Sequence, residues 1–434
     1  MGEKPWQVRY TYRLRPGAVA ERYLVREAGM CRFVWNQLVA RSRDLYEWNR
    51  SATLFGGTDP ATFGYAAQDK FLTWLRATTV DPESGELWLA AGSSVAQQQT
   101  VRDFAAARTK ALQDRMDRSI PASRKRGLPR FKSRHTALPS MNYTTRGFSL
   151  VERDGRVRLQ LPGKVTIPVV WSQDLPSQPT SMRVYQDSIG HWYASFCVTV
   201  EPDAGRLPPV GHSRAIGIDW GITETATTAT VDLLTGEIDD ATTYDLPHHQ
   251  HGRNAAARLA RYQRQMARRR QPKGKPATRG YENAKRRAAK AHKKVARQRK
   301  DDAAKWARNV VADHHLIAVE DFKPKFLAKS TMARKAADAA IAATKTQLLW
   351  QARKAGRRTE PVHPAYTTTD CSTCGARTKH RLPLGERTYT CERCGMVRPR
   401  DKNSATIMVA RAGFSPADAE GVSPAPAAAR APAA

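Results

Sequence analysis

Two short apolar runs, each closing on a carboxylate, constrain this chain more than any other feature in it. Arg214-Ala215-Ile216-Gly217-Ile218-Asp219 reads as a short buried strand with an acid at its end and Gly221 just beyond to turn the chain. Leu316-Ile317-Ala318-Val319-Glu320 repeats the design, and its lack of polar alternation is that of a central strand covered on both faces. A third acid, Asp401, precedes Lys402-Asn403-Ser404-Ala405-Thr406-Ile407-Met408-Val409-Ala410, a helical stretch with Ile407 and Ala410 three apart. Two strand ends and one helix start can converge on one point.

Phosphodiester cleavage gives such a convergence a chemical reason. Two divalent ions about 3.5–4 Å apart clamp the attacking and leaving oxygens of an in-line displacement. Mg²⁺, a hard cation, takes carboxylate and water oxygens in preference to nitrogen or sulfur. Asp219, Glu320 and Asp401 are therefore candidate catalytic residues and ligands of two Mg²⁺ ions, with Mn²⁺ as a substitute. Taken singly, an acid after an apolar run is ordinarily a turn residue or a helix cap. The order and context of all three favour the metal reading.

Cys371-Ser-Thr-Cys374 and Cys391-Glu-Arg-Cys394 form two C-x-x-C knuckles sixteen residues apart, the spacing of a four-thiolate zinc ribbon. Gly375 and Gly395 follow the knuckles and let the backbone turn beside the metal. The expected cofactor is one structural Zn²⁺. A redox dithiol needs only one of these motifs, and a disulfide pair suits a secreted chain, of which there is no sign. Cys31 and Cys197 lie in a helical and a strand pattern and are expected to be packed.

A net charge of +32 over 434 residues, with an isoelectric point near 10.3, attracts polyanions. No run approaches the roughly 18 apolar residues of a membrane span, and the first residues lack the apolar core of a signal peptide. A nucleic-acid partner in a cytoplasmic setting is expected, with no membrane. Between Arg253 and Lys300 nineteen Lys or Arg face the single acid Glu282, a net +18. Two alanine-rich stretches, 254–270 and 282–300, favour helix, and Gln271–Gly280 breaks them into a hairpin. Such a segment repels itself without a polyanion. Arg261, Arg264, Arg268, Arg269 and Arg270 on one arm are candidate nucleic-acid contacts, as are Arg286, Arg287, Lys290, Lys293, Lys294 and Arg297 on the other. A disordered basic arm is the alternative.

The N-terminal half mixes both periods. Val8, Tyr10, Tyr12 and Leu14 alternate as in a half-buried strand, then Leu24, Ala28, Cys31, Trp35 and Leu38 recur at helical spacing, as do Val101, Phe104, Ala105 and Leu112. From Phe148 strands return: Ser149–Val151 and Arg156–Leu161 flank the turn Asp154-Gly155, and Trp192, Ala194, Phe196, Val198 and Val200 alternate. A strand, a helical insertion and further strands imply a β-barrel interrupted by a helical lobe. Arg130 and Lys132 belong to a basic junction, 124–134, which reads equally as a phosphate-contacting or a solvated loop. After Ala412 the chain turns rich in Pro, Ala and Ser, and 413–434 is expected to be a disordered tail.

Gly217-Ile218-Asp219-Trp220-Gly221, Val319-Glu320-Asp321-Phe322, the paired Cys-x-x-Cys-Gly knuckles and Arg400-Asp401-Lys402-Asn403-Ser404-Ala405 resemble the split RuvC nuclease of the TnpB family of transposon-encoded RNA-guided endonucleases. Compact type V CRISPR effectors share that plan. Gly127-Leu128-Pro129-Arg130-Phe131-Lys132 and Cys31-Arg32-Phe33-Val34-Trp35-Asn36 also resemble family elements, so the likeness spans nearly the whole chain. One departure is Ser404, where alanine is commoner.

The resemblance implies an α+β, multidomain chain. A wedge-like β-barrel over 1–15 and 125–208 is interrupted by a recognition lobe at 16–124. An RNase H-like RuvC domain follows at 209–365 and 398–412, with the hairpin 253–300 and a zinc ribbon at 366–397. It further implies a guide RNA, a double-stranded DNA target next to a short flanking motif, two Mg²⁺ ions and one Zn²⁺. A guide-independent structure-specific nuclease, an RNA-guided repressor with little cleavage and a plain zinc-ribbon DNA-binding protein remain as alternatives.

Overall fold

The computed structural model describes residues 6–54, 62–135, 137–200, 213–272, 274–322, 330–379, 382–383 and 385–414. The loose stretch at Gly56-Gly57, the expected boundary at 208/209, Lys273 and the expected tail beyond Phe414 lie outside the described residues. The chain divides into two compact units, residues 4–200 and residues 201–434 with the first three.

The first unit opens with β1 (Trp6–Leu14), in which Tyr10, Tyr12 and Leu14 are buried and Gln7, Arg9, Thr11 and Arg13 exposed. Three helices follow: α1 (Ala18–Leu54), α2 (Tyr65–Thr78) and α3 (Ser94–Met116). Their shared core is Met30, Val34 and Leu38 of α1, Leu72 and Leu75 of α2 and Val101 and Phe104 of α3, spaced three or four apart so that each helix presents one apolar stripe. Ser93 caps α3, its hydroxyl accepting from the Ala96 N–H. The chain then returns to strands: β2 (Ser140–Thr144), β3 (Ser149–Arg153), β4 (Arg156–Leu161), β5 (Val165–Val170), β6 (Ser181–Gln186) and β7 (Trp192–Val200). They join β1 in one antiparallel sheet of order β2-β6-β7-β1-β5-β4-β3, curled as a half-barrel. The β3–β4 turn at Asp154-Gly155 has φ of 53° and 64°, the left-handed pair that matches hairpin twist.

The second unit contains β8 (Arg214–Trp220), β9 (Glu224–Asp232), β10 (Ile238–Asp239) and β11 (Leu246–Pro247), then α4 (His251–Arg268) and α5 (Arg279–Asp313). After them come β12 (Leu316–Glu320), α6 (Ala333–Ala339), α7 (Ile341–Lys354), β13 (Arg358–Val362), β14 (Thr388–Thr390), β15 (Val397–Pro399) and α8 (Arg400–Arg411). The sheet runs β10-β9-β8-β12-β13, with β11 also on β9. β9 is antiparallel to β8, whereas β12 is parallel to β8 and β13 to β12. Three antiparallel strands followed by two parallel ones make an RNase H-like sheet.

Both faces of its central strands are covered, which is why they read as unbroken apolar runs. Ile216, Ile218, Ile317 and Val319 pack on Trp306, Ala307, Val310 and Val311 of α5 and on Leu348 and Ala352 of α7. On the other face Ala215 and Leu316 meet Val409, and Ala318 and Val362 meet Met408, both residues of α8. The helix expected to stop at Lys300 runs on to Asp313, because Ala303, Trp306, Ala307 and Val310 continue its buried stripe into this core after the basic run has ended.

Candidate nuclease centre and thiolate ribbon

The register of the sheet brings two of the predicted acids together. β12 and β8 pair in parallel from Leu316 with Ala215 to Val319 with Ile218, so Glu320 and Asp219 leave adjacent strands at the same end. Glu320 is 6% exposed, and its Oε2 accepts the Trp220 N–H at 3.1 Å.

The third acid arrives on α8, and Gly217 decides how closely that helix can lie. A Cβ added at Gly217 would stand 1.8 Å from the Ala405 carbonyl oxygen, so only glycine admits the helix at this distance. Asp401 lies in the first turn of α8 and is close enough to act on Asp219. Burial, then the charges of Glu320 and Asp401, push the Asp219 carboxyl well above the carboxylate range, with Arg400 opposing. Burial raises Glu320 as well, opposed by the Trp220 N–H. Asp219 and Glu320 side by side, with Asp401 acting electrostatically on Asp219, offer hard carboxylate oxygens of the kind that divalent magnesium takes.

Two buried residues that sequence reasoning missed seat α8. Lys402 is 7% exposed, and its Nζ donates to the carbonyls of Thr228 at 2.7 Å and Ala241 at 3.1 Å and pairs with Asp245 Oδ2 at 2.9 Å. Ser404, the departure from the family pattern, is fully buried and its hydroxyl donates to the Thr367 carbonyl at 3.2 Å. Lys345 of α7 braces the strand end from the other side, donating to the Glu320 carbonyl at 2.9 Å and to Asp321 Oδ1 at 3.2 Å. A lysine in a short polar helix start carries no sequence signal of burial; only the tertiary fold reveals it.

The four knuckle cysteines gather as predicted, their sulfurs all within 4.8 Å of one another. The Cys371–Cys394 and Cys374–Cys391 pairs are each 3.6 Å apart, against about 3.8 Å for the edge of a tetrahedron with Zn–S bonds near 2.3 Å. The two turns repeat each other. Gly375 and Gly395 adopt φ of 68° and 73°, and their N–H groups donate to the Cys371 and Cys391 carbonyls at 3.0 and 2.9 Å. The N–H groups of Cys394 and Arg393 lower the Cys391 thiol, while against the Met396 N–H burial and hydrogen bonds from the neighbouring thiols raise Cys394, so the clustered sulfurs share their protons. The set fits a structural zinc.

The basic candidates lie on α4 and α5 and on the connection between them. α4 packs on α5, and the residues buried on the two arms are small: Ala255 on α4 and Ala284, Ala288, Ala291 and Val295 on α5. Arg261, Arg264, Arg268, Arg269 and Arg270 are exposed, as are Arg286, Arg287, Lys290, Lys294 and Arg297, while Lys293 is half-buried. Arg269 also donates to the Gly280 carbonyl at 3.2 Å and so helps close the turn. In the first unit, the two N-terminal motifs dock on each other. Asn36 donates to the Lys132 carbonyl at 3.1 Å and accepts the Lys132 N–H at 2.8 Å, and Trp35 Nε1 donates to the Arg130 carbonyl at 2.9 Å. The Lys132 ammonium lies 3.4 Å from the centroid of the Trp35 ring, whereas the Arg130 side chain is exposed.

Sheet order, acid cluster and thiolate ribbon together define a nuclease-like RNase H scaffold, and similarity to known proteins makes the assignment specific. Residues 195–331 match the OrfB/IS605 family model, described as "Probable transposase", and residues 342–408 match the model of the Cas12f1-like TNB domain. Residues 6–51 match a model described as a helix-turn-helix domain, a span that folds here as β1 and the single helix α1. A Streptomyces pristinaespiralis protein named "Putative RNA-guided DNA endonuclease" is 29% identical over 68% of this chain and 68% of its own. The Escherichia coli K12 protein "Putative RNA-guided DNA endonuclease InsQ" is 25% identical over 92% of this chain and 91% of its own. A Cas12f1–sgRNA–target DNA complex superposes with a TM-score of 0.48 at 14% identity, covering 93% of this chain and 98% of the other. The chain is thus similar, over most of its length, to the OrfB/IS605 transposases and to proteins named as RNA-guided DNA endonucleases.

Proposed function

We propose that this protein is an RNA-guided DNA endonuclease that cuts double-stranded DNA beside a short flanking motif, with Asp219, Glu320 and Asp401 as the cutting centre. The observation that carries this reading is the convergence of the three carboxylates from two strand ends and one helix start. The names of the relatives support both the guide RNA and the DNA target.

Magnesium ions held by these carboxylates would supply charge stabilisation for an in-line displacement at phosphorus. The protein's own part is to fix the acids. The Trp220 N–H orients Glu320, Lys402 and Gly217 seat the helix that carries Asp401, and Lys345 holds the end of β12. One structural zinc in the four thiolates would maintain the ribbon between the second and third acids. The basic arms, with only Glu282 against their charge, would track phosphate backbones of the RNA or the heteroduplex, with Arg130 as a further candidate contact. Among the described residues no helix is long and apolar enough to cross a membrane.

The decisive experiment supplies the protein with its copurified RNA and a matched target with randomised flanks. Wild type is expected to cut with Mg²⁺ or Mn²⁺ and to bind with little cutting in Ca²⁺. Asp219→Ala, Glu320→Ala and Asp401→Ala are expected to bind and not cut. Binding without cutting by wild type would establish a repressor, and equal cutting without RNA would establish a guide-independent nuclease.

A further inference from the structure

Among the described residues, Asp401 makes long contacts, to Arg387 at 3.5 Å and to Arg400 at 3.7 Å. Contacts of this length do not fix a carboxylate, so its aim follows from the seating of the first turn of α8. Two residues along the same turn, Asn403 is fully buried. Its Oδ1 accepts the Ser372 N–H at 2.9 Å and its Nδ2 donates to the Asp370 carbonyl at 2.8 Å. These two peptide groups flank Cys371, the first thiolate of the ribbon.

We infer that Asn403 is a positioning residue that transmits the folding of the thiolate ribbon to Asp401. The inference rests on the reading of Asp401 as part of the cutting centre. A primary amide can donate to a carbonyl from its nitrogen while accepting an N–H on its oxygen, and so spans two separate peptide groups at once. Asn403 is fully buried and both bonds are part-buried, so the amide has little water to turn to if either is lost. A zinc ion held by the four thiolates would fix the conformation of the knuckle they grip. A ribbon without metal loses that conformation, and the Asp370 and Ser372 peptides then no longer hold Asn403 in place. On the opposite side of α8, Gly217 leaves no clearance beneath Ala405. The helix is thus seated hard against the sheet on one side and tied to the ribbon on the other.

The test is a double-mutant cycle in the full-length protein with its RNA, using Asn403→Ala, Cys394→Ser and the combination. Three quantities are read: bound zinc, amide exchange across residues 400–405, and the cutting rate at saturating target beside target affinity. Asn403→Ala is expected to keep one zinc and target affinity within about twofold, to accelerate exchange in the first turn of α8, and to slow cutting by about 10–100-fold, the usual effect of removing an orienting partner. Asn403→Asp keeps the acceptor and loses the donor, and should fall between. The double variant should be no slower than the slower single, because both lesions interrupt one connection. Multiplying effects, wild-type exchange and cutting in Asn403→Ala, or loss of zinc from that variant would each overturn the inference. Should Asp401→Ala cut normally, the nuclease reading fails, while zinc content and exchange still decide the coupling.

Discussion

The acid cluster and the thiolate cluster both crowd like-charged ligands, yet they are built in opposite ways. The cysteines come from two nearly identical local turns, each closed by its own glycine N–H within five residues. The acids come from strand ends and a helix about a hundred and about eighty residues apart in the chain, and the parallel register of β8 and β12 sets the first two side by side. A local site depends on its metal to fold, whereas a site spread over the fold is held in its strained arrangement by the rest of the domain.

This contrast is broken most directly by Asp219→Asn. Cutting is expected to fall by about a thousand-fold or more, as when one member of a unit is lost, while thermal stability in metal-free buffer rises. The sign follows from linkage. The folded Asp219 carboxyl titrates above its ordinary 3.8 and Glu320 above 4.5, so their stabilisation is complete below those values and is lost as pH climbs through the raised ones. Added Mg²⁺ should raise the melting temperature of wild type at neutral pH and should do so less at pH 5. Calorimetry with and without Mg²⁺ checks both, and a fall in stability for Asp219→Asn would count against electrostatic strain in the cluster.

Cys371→Ser should behave in the reverse sense. Zinc per chain, measured by elemental analysis, drops from one toward zero, the ribbon loses protection against proteolysis, and cutting falls about tenfold or more while RNA affinity largely survives. A zinc-free double mutant with full activity would remove the structural role.

A smaller effect is expected from the hairpin. Replacing Arg268, Arg269 and Arg270 together by alanine should reduce the slope of log affinity against log salt by about 0.7–0.9 for each lost phosphate contact. Because Arg269 is already engaged with Gly280, a loss nearer two contacts than three is expected. An unchanged slope would mean that these residues do not meet phosphate.

The smallest effect concerns stability alone. His314 is fully buried, its Nδ1–H donating to the Val310 carbonyl and its Nε2 accepting from the Thr230 hydroxyl, each at 2.9 Å. Burial lowers it from 6.5 to about 4. Its stabilisation, on the order of 3 kcal/mol at most, is complete above pH 6.5 and is lost as pH falls through 4, since the unfolded chain takes up the proton first. His314→Gln should flatten denaturant midpoints between pH 6.5 and 4.

These experiments also mark what the sequence made legible. Alternation in β1, the Asp154-Gly155 turn and both knuckles are local patterns, and each appears where its period or spacing indicated. Asp219 and Glu320 were legible as strand ends, each an apolar run stopping at a charge, and β8 does end at Trp220, one residue on, and β12 at Glu320. What stayed hidden is tertiary in origin. Lys402 and Asn403 look like the polar start of any surface helix, and their burial is decided by β9 and by the ribbon, far away in the chain. The true end of α5 was missed for a related reason, since its composition changes at Lys300 while its helical period does not.

That continuity gives α5 a mechanical character. Thirty-five residues of unbroken helix span about 50 Å at 1.5 Å per residue. One end carries exposed lysines and arginines, and the other is clamped by Trp306, Val310 and Val311 against the strands that bear Asp219 and Glu320. With no hinge along its length, the helix acts as a lever. A load placed on its basic end would therefore reach the sheet that bears Asp219 and Glu320 as torque, without first being dissipated in a loop.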